Sequence, residues 1–187
     1  YYPLDATDIS ALQNKVLSSD AEVLFSVVVL PLSIPFHKAI KDGGFKGRIA
    51  GTLFDETSQI LFADAATGLL ACQDYFFSID NTAGTEVREA FTAAYPDASF
   101  ASTFNTPAWY RSFYLWKNAV ETAGSLDTDA VAKAMDTAVF EDNPGGPAAM
   151  KAGTKHCSLP IFIGEVQADG TVKELVSAGI IDPTECG

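Results

Sequence analysis

Positive charge is scarce in this chain: 12 Lys and Arg stand against 24 Asp and Glu, a formal net charge of −12. Proteins bind nucleic acid by replacing phosphate counterions with Lys and Arg. No basic stripe runs along this sequence, so nucleic acid is excluded as a partner. An anionic membrane surface is disfavoured on the same ground. Histidine is scarcer still, with 2 residues, and cysteine has 3. The cysteines show no C-x-x-C spacing, which removes zinc ribbons and thioredoxin-type sites. G-x-S-x-G elbows, H-E-x-x-H helices, Walker loops and G-x-G-x-x-G turns are also absent. No metal site and no cofactor is implied, and an enzymatic reading has no positive support. The longest apolar run, over 23–32, is broken by Ser26 and Pro31. It falls short of the ~20 residues that span a bilayer. The chain opens on Tyr1 and shows no charged stretch followed by an apolar one. It reads as a processed, truncated or partial product.

What is present is globular. Hydrophobic residues make up 48% of 187 positions, enough for one domain or two small ones. Folding at this length buries roughly 70% of the unfolded surface. Asp8 is placed to cap a helix over 9–18. The β-branched run over 22–30 suits a strand buried on both faces of a parallel sheet. Ser33 opens a helix with Phe36, Ala39 and Ile40 inward, ended by Gly43-Gly44. A strand over 48–52, a helix over 56–65 capped by Asp55 and a strand over 69–77 follow. Such alternation predicts an α/β fold, a parallel sheet flanked by helices. Ligands of such sheets bind outside the carboxyl ends of the strands, where the loops 30–33 and 53–56 fall. Beyond residue 81 the pattern turns helical, over 86–95, 107–123 and 127–137. In the second of these, Trp109, Phe113, Trp116 and Val120 recur at helical spacing. Strands over 161–167 and 171–176 flank Ala168-Asp169-Gly170, a hairpin signal.

Candidate chemistry is sparse. His37 reads as a surface or partly buried helix residue. His156 and Cys157 are adjacent, and adjacent side chains point apart, which disfavours a dyad. A hydrolase reading would rest on that pair alone. Asp127 and Asp129 read as a helix cap, since the remaining ligands of a calcium loop are missing. Cys72 reads as a small buried hydrophobe. Cys157 and Cys186 flank the C-terminal segment; they pair in an oxidising compartment or stand as unrelated thiols. The segment Thr52-Leu53-Phe54-Asp55-Glu56 follows a strand and opens a helix. Its hydroxyl, ring and carboxylates could hold an amide or ammonium group, Phe54 covering the apolar part. Equally, Asp55 could be only a cap and Glu56 only a complement to the helix dipole.

The order of these segments resembles the C-terminal half of type 1 periplasmic substrate-binding proteins, the receptors of branched-chain amino acid, urea and amide ABC importers. The resemblance is carried by Tyr1-Tyr2-Pro3-Leu4 with Thr7-Asp8-Ile9, by Ala21-Glu22-Val23-Leu24-Phe25-Ser26-Val27-Val28-Val29, and by Thr67-Gly68-Leu69-Leu70 with Tyr75-Phe76-Phe77-Ser78-Ile79-Asp80. It continues through Trp109-Tyr110, the helix from Leu115 to Gly124, Gly146-Pro147, and Ile163-Gly164-Glu165-Val166-Gln167-Ala168-Asp169-Gly170.

The resemblance implies a two-lobed, Rossmann-like fold lacking its N-terminal portion. Residues 1–73 would belong to the C-terminal lobe, 74–157 to the crossing strand and N-terminal-lobe helices, and 158–187 to strands returning to the C-terminal lobe. It implies a solute-binding component, not an enzyme, working in the periplasm or lipid-anchored outside the cell. A small amino acid-, amide- or urea-like ligand would sit between the lobes, and a membrane permease would be the partner. Thr52, Phe54, Asp55, Glu56, Ser33 and Tyr75 are the implied ligand-binding residues. Leu53, Phe54 and Pro31-Leu32 stand where amide binders carry hydroxyl or small residues. They imply a more apolar pocket, suited to an amino acid or an aliphatic or aromatic acid. The alternative is a cytoplasmic ligand sensor of the same fold. The helices over 86–137 would lack the sheet they pack on, so a missing N-terminal half or a second chain is expected to complete the fold.

Overall fold

The first third of the chain alternates helix and strand because its apolar spacing alternates between periods of 3.6 and 2. A computed structural model describes residues 2–3, 6, 8–79, 81–97 and 105–183. Helix α1 spans Ser10–Leu17, strand β1 Val23–Ser26, helix α2 Ser33–Asp42 and strand β2 Arg48–Gly51. Helix α3, Thr57–Phe62, runs into a 3₁₀ turn, Ala63–Ala66, before strand β3, Leu70–Gln73. The helical stretch supplies α4, Thr82–Ala94, α5, Asn105–Ala123, and α6, Thr128–Met135. Strands β4, Val139–Phe140, β5, Ala148–Lys151, β6, His156–Val166, and β7, Val172–Ile181, close the chain.

The expected order is met, with shifts at element ends. Asp8 accepts the Ser10 N–H at 2.9 Å, but Ile9 holds the capping position of α1. Asp127 caps α6 by accepting the Ala130 N–H at 3.0 Å, as its spacing predicts. The Asp169-Gly170 turn joins β6 to β7. Strands β4 and β5 carry no clear alternation in the sequence and emerge only through pairing, β5 with β6 and β4 with β5. Among the described residues no helix is long and apolar enough to cross a membrane.

Among the described residues the sheet has 7 strands in the order β1-β2-β3-β6-β5-β4, with β7 also paired to β6. The pairs β1–β2 and β2–β3 are parallel, as expected. Strand β6 runs antiparallel to β3, β5 and β7, so the sheet is mixed. Burial of the 22–30 run on both faces is not met. Only 23–26 form a strand, which pairs with β2 alone among the described residues, and Phe25 on its outer face is 64% exposed. Cys72 is likewise exposed: it alternates along β3 with buried Ala71 and Gln73.

Two apolar clusters form. The larger draws Phe36, Ile40, Leu69, Phe76, Val166 and Val172 from α2, the segments flanking β3 and the β6–β7 hairpin. The second joins Leu115 and Ala119 of α5 to Val131 and Phe140. A nearly buried ion pair between Arg111 of α5 and Asp74, just after β3, links the two regions. The helical spacing of Trp109, Phe113 and Trp116 is real, but their stripe faces outward, with Trp109 78% exposed. Leu115 and Ala119 occupy the packed face instead.

Replacing Ile40, which has no exposed surface, with Ala should destabilise the fold by about 2–5 kcal/mol in chemical denaturation. Ile60→Ala, at an exposed position, should stay within about 0.5 kcal/mol.

Candidate functional site

Strands β1 and β2 end level and β3 runs on to Gln73, their parallel registers aligning Ser26 with Gly51 and Gly51 with Ala71. The loops leaving these ends occupy the position at which such sheets bind ligands. Gly51 permits the convergence: a Cβ there would lie 2.4 Å from the Ser26 carbonyl oxygen and 2.9 Å from the Phe54 ring.

His37 forms the floor. It has no exposed surface, contrary to the surface or partly buried place its sequence position suggests. Its Nδ1 lies 2.7 Å from the Ser33 carbonyl oxygen and 3.1 Å from Ser33 Oγ. A carbonyl only accepts, so Nδ1 carries the proton. Nε2 then accepts the Ser26 hydroxyl at 2.8 Å. The rings of Phe36, Phe54 and Phe62 surround the imidazole with centroids 5.1, 5.1 and 5.4 Å away. Burial among them pushes the His37 pKa down, with the Ser33 carbonyl opposing. Ser33 is therefore committed to His37, and Phe54, 1% exposed, presents its ring to the core.

The turn from β2 into α3 lies over this floor. Asp55 is buried; its Oδ1 accepts the Thr57 N–H at 2.8 Å and the Thr57 hydroxyl. The Asp55 N–H donates to Ser58 Oγ at 3.0 Å. Glu56, not Asp55, holds the capping position of α3, and its side chain makes no capping bond; Asp55 instead binds the first N–H of the helix from one residue upstream. Glu56 accepts the N–H of Ser78 at 2.7 Å, tying the turn to the segment that leaves β3. Burial raises the Glu56 pKa, the Ser78 bonds oppose this, and the Asp55 charge adds to it. Ser78 Oγ in turn accepts the Val172 N–H at 3.0 Å. Tyr75 is buried and lies against Gly84, where a Cβ would sit 2.5 Å from its hydroxyl. Burial raises its pKa, with Arg88 lowering it and Glu56 raising it.

The structure thus brings Thr52, Phe54, Asp55, Glu56, Ser33 and Tyr75 to one end of the sheet. Thr52 is exposed and Leu53 half-buried; Phe54, Asp55, Glu56, Ser33 and Tyr75 are turned to internal partners. Gln73 went unread in the sequence. Its buried Nε2 donates to the Thr52 carbonyl at 2.6 Å and to the Phe54 carbonyl at 3.4 Å. Ser26, a break in an apolar run by sequence, is a second such residue. Both signals were there: a polar residue inside an apolar strand is a buried group that needs a partner. Cys157 packs against the second apolar cluster, its Sγ 3.2 Å from Met150 Sδ, with its pKa raised by burial. Cys186 lies outside the described residues, as does Asp80.

A sequence profile of the family described as periplasmic binding protein matches residues 1–171. No curated protein sequence matches significantly. Among solved structures, an ABC-transporter solute-binding protein from R. palustris in complex with 4-hydroxybenzoate is similar at TM-score 0.78 and 23% identity, over 96% of this chain and 51% of that one. A second R. palustris solute-binding protein, in complex with benzoate, has TM-score 0.84 and 16% identity, over 98% and 50%. A leucine-, isoleucine-, valine-, threonine- and alanine-binding protein from Brucella ovis has TM-score 0.79 and 18% identity, over 96% and 49%. The chain spans about half the length of these structures.

The buried neutral His37 gives a pH test. Its folded pKa lies below the ordinary 6.5. As pH falls through 6.5 the unfolded chain takes up a proton that the folded chain refuses. Stability then drops by at most about 1.4 kcal/mol per pH unit until the folded imidazole also protonates. Glu56, shifted the other way, favours the fold at low pH and loses that contribution as pH rises above its ordinary 4.5. Denaturation of wild type and His37→Gln between pH 7 and 5 separates the two, because Glu56 is common to both. The wild type should show the steeper loss.

Proposed function

This chain belongs to the periplasmic binding protein family, and on that premise we propose that it forms the C-terminal part of the solute-binding component of an ABC importer. The protein works outside the cytoplasmic membrane, delivers its ligand to a membrane permease and performs no chemistry on it. Residues 1–73 and 158–187 form most of one lobe, and 74–157 carry the crossing segment and helices of the other. The exposed faces of β1 and α5 are completed by the N-terminal half of the full-length protein.

The observation that carries the ligand reading is the commitment of both carboxylates of the β2–α3 turn to backbone N–H groups. Each of those bonds fixes one carboxylate oxygen within the turn, so both side chains already serve its shape. Thr52 and Leu53 are the side chains of the turn left to the crevice, a hydroxyl beside an apolar group. They suit a ligand with an apolar body and a polar end, an organic acid or an apolar amino acid, better than urea. The benzoates and aliphatic amino acids named for the structural neighbours have that form. Phe54, Asp55, Glu56, Ser33 and Tyr75 serve the same site by holding the turn and the segment beside it.

Calorimetry of the full-length gene product against benzoate, 4-hydroxybenzoate, leucine and urea tests this. One of the first three should bind and urea should not. Binding of urea alone, or turnover of any compound, would contradict the reading. Thr52→Val should weaken the bound compound by about 3–10-fold, one hydrogen bond's worth, without moving the thermal midpoint.

A further inference from the structure

We propose that Gln73 is the positioning residue of the ligand-facing turn: its side-chain amide clamps the Thr52 and Phe54 carbonyls and so sets how Thr52 and Leu53 face the crevice. The inference rests on the reading of that turn as the binding element. It assigns a role to a residue that touches no ligand.

Strands β2 and β3 pair Ala50 with Leu70 and Gly51 with Ala71. The ladder then stops, because β2 ends at Gly51 while β3 continues to Gln73. Continued register would place residue 53 opposite Gln73. The backbone over 52–54 has left the sheet, and its carbonyls need other donors. The Gln73 amide takes the place of the missing ladder, with Nε2 2.6 Å from the Thr52 oxygen and 3.4 Å from the Phe54 oxygen.

Packing alone does not account for a glutamine here. The side chain is 9% exposed, and an amide in such a place is unfavourable unless bonded. Its partner in β6 is Phe162, so an apolar residue would serve the sheet. What glutamine adds is a donor aimed at the turn. The later part of the turn has its own ties, through Asp55, Ser58 and Glu56. Thr52 and Leu53 lie upstream of them. With the 52 and 54 carbonyls drawn toward Gln73, the peptide planes on both sides of Leu53 are oriented.

Two variants of the full-length gene product test this. Gln73→Met keeps the length and packing of the side chain and removes both donations. Hydrogen exchange over 52–58 should rise by about tenfold while other segments stay at the wild-type rate, and the Kd of whichever of 4-hydroxybenzoate, benzoate or leucine binds should rise by a similar factor. Gln73→Glu should match or exceed that loss at neutral pH, where a carboxylate faces two carbonyls. It should recover toward wild type on acidification, as its protonated carboxyl donates to the Thr52 oxygen; Gln73→Met should not recover. Wild-type exchange over 52–58 in Gln73→Met would overturn the proposal. So would an equal rise in every segment, the mark of a general structural role. If wild type binds none of the compounds, the ligand reading fails, and the exchange measurement still decides the role of Gln73.

Discussion

Backbone groups that leave a sheet near a buried floor must find partners, and the turn between β2 and α3 meets that demand almost entirely with side chains. Gln73 takes the Thr52 and Phe54 carbonyls, Ser58 takes the Asp55 N–H, Asp55 takes the Thr57 N–H, and Glu56 reaches across to the N–H of Ser78. Each such bond contributes about 0.5–1.5 kcal/mol net. Leaving one of these buried groups unpaired would cost about 1–3 kcal/mol. The turn is therefore held in one shape by the same groups that an isolated sequence motif would assign to a ligand.

The floor beneath it answers to the same constraint. His37 is admitted among three phenyl rings because both nitrogens have partners, Ser26 and the Ser33 carbonyl. Its ring packs against Phe54, so the imidazole, the aromatic cluster and the turn form one continuous contact. Through Ser78 the turn is also joined to Val172 at the start of β7. A displacement of the segment after β3 would reach the turn directly.

Much of the fold was legible in the sequence. Alternating periodicity gave the helices and strands from α1 to β3, Asp127 and Asp169-Gly170 marked a cap and a hairpin, and the order of segments pointed to the family. Three features were not legible. The run over 22–30 has the composition of a central strand, yet Phe25 faces outward, because burial depends on what lies beside β1 and not on its own residues. The Trp109–Trp116 stripe has core periodicity and lies open for the same reason. The third is the candidate site: Thr52, Phe54, Asp55 and Glu56 lie together in sequence, but which of them stay exposed is set by Gln73, His37 and Ser78 from other elements. Composition supplies the candidates, and tertiary contacts separate buried side chains from exposed ones.

On the proposed reading, the carboxylates of Asp55 and Glu56 are struts of the turn, and Thr52 and Leu53 are its contact surface. A crystal structure of the full-length gene product with its bound small molecule tests it most directly. The account predicts the Thr52 hydroxyl and Leu53 against the ligand, with the Asp55–Thr57 and Glu56–Ser78 bonds intact. A ligand cation seated on Asp55 or Glu56, with those bonds broken, would contradict it.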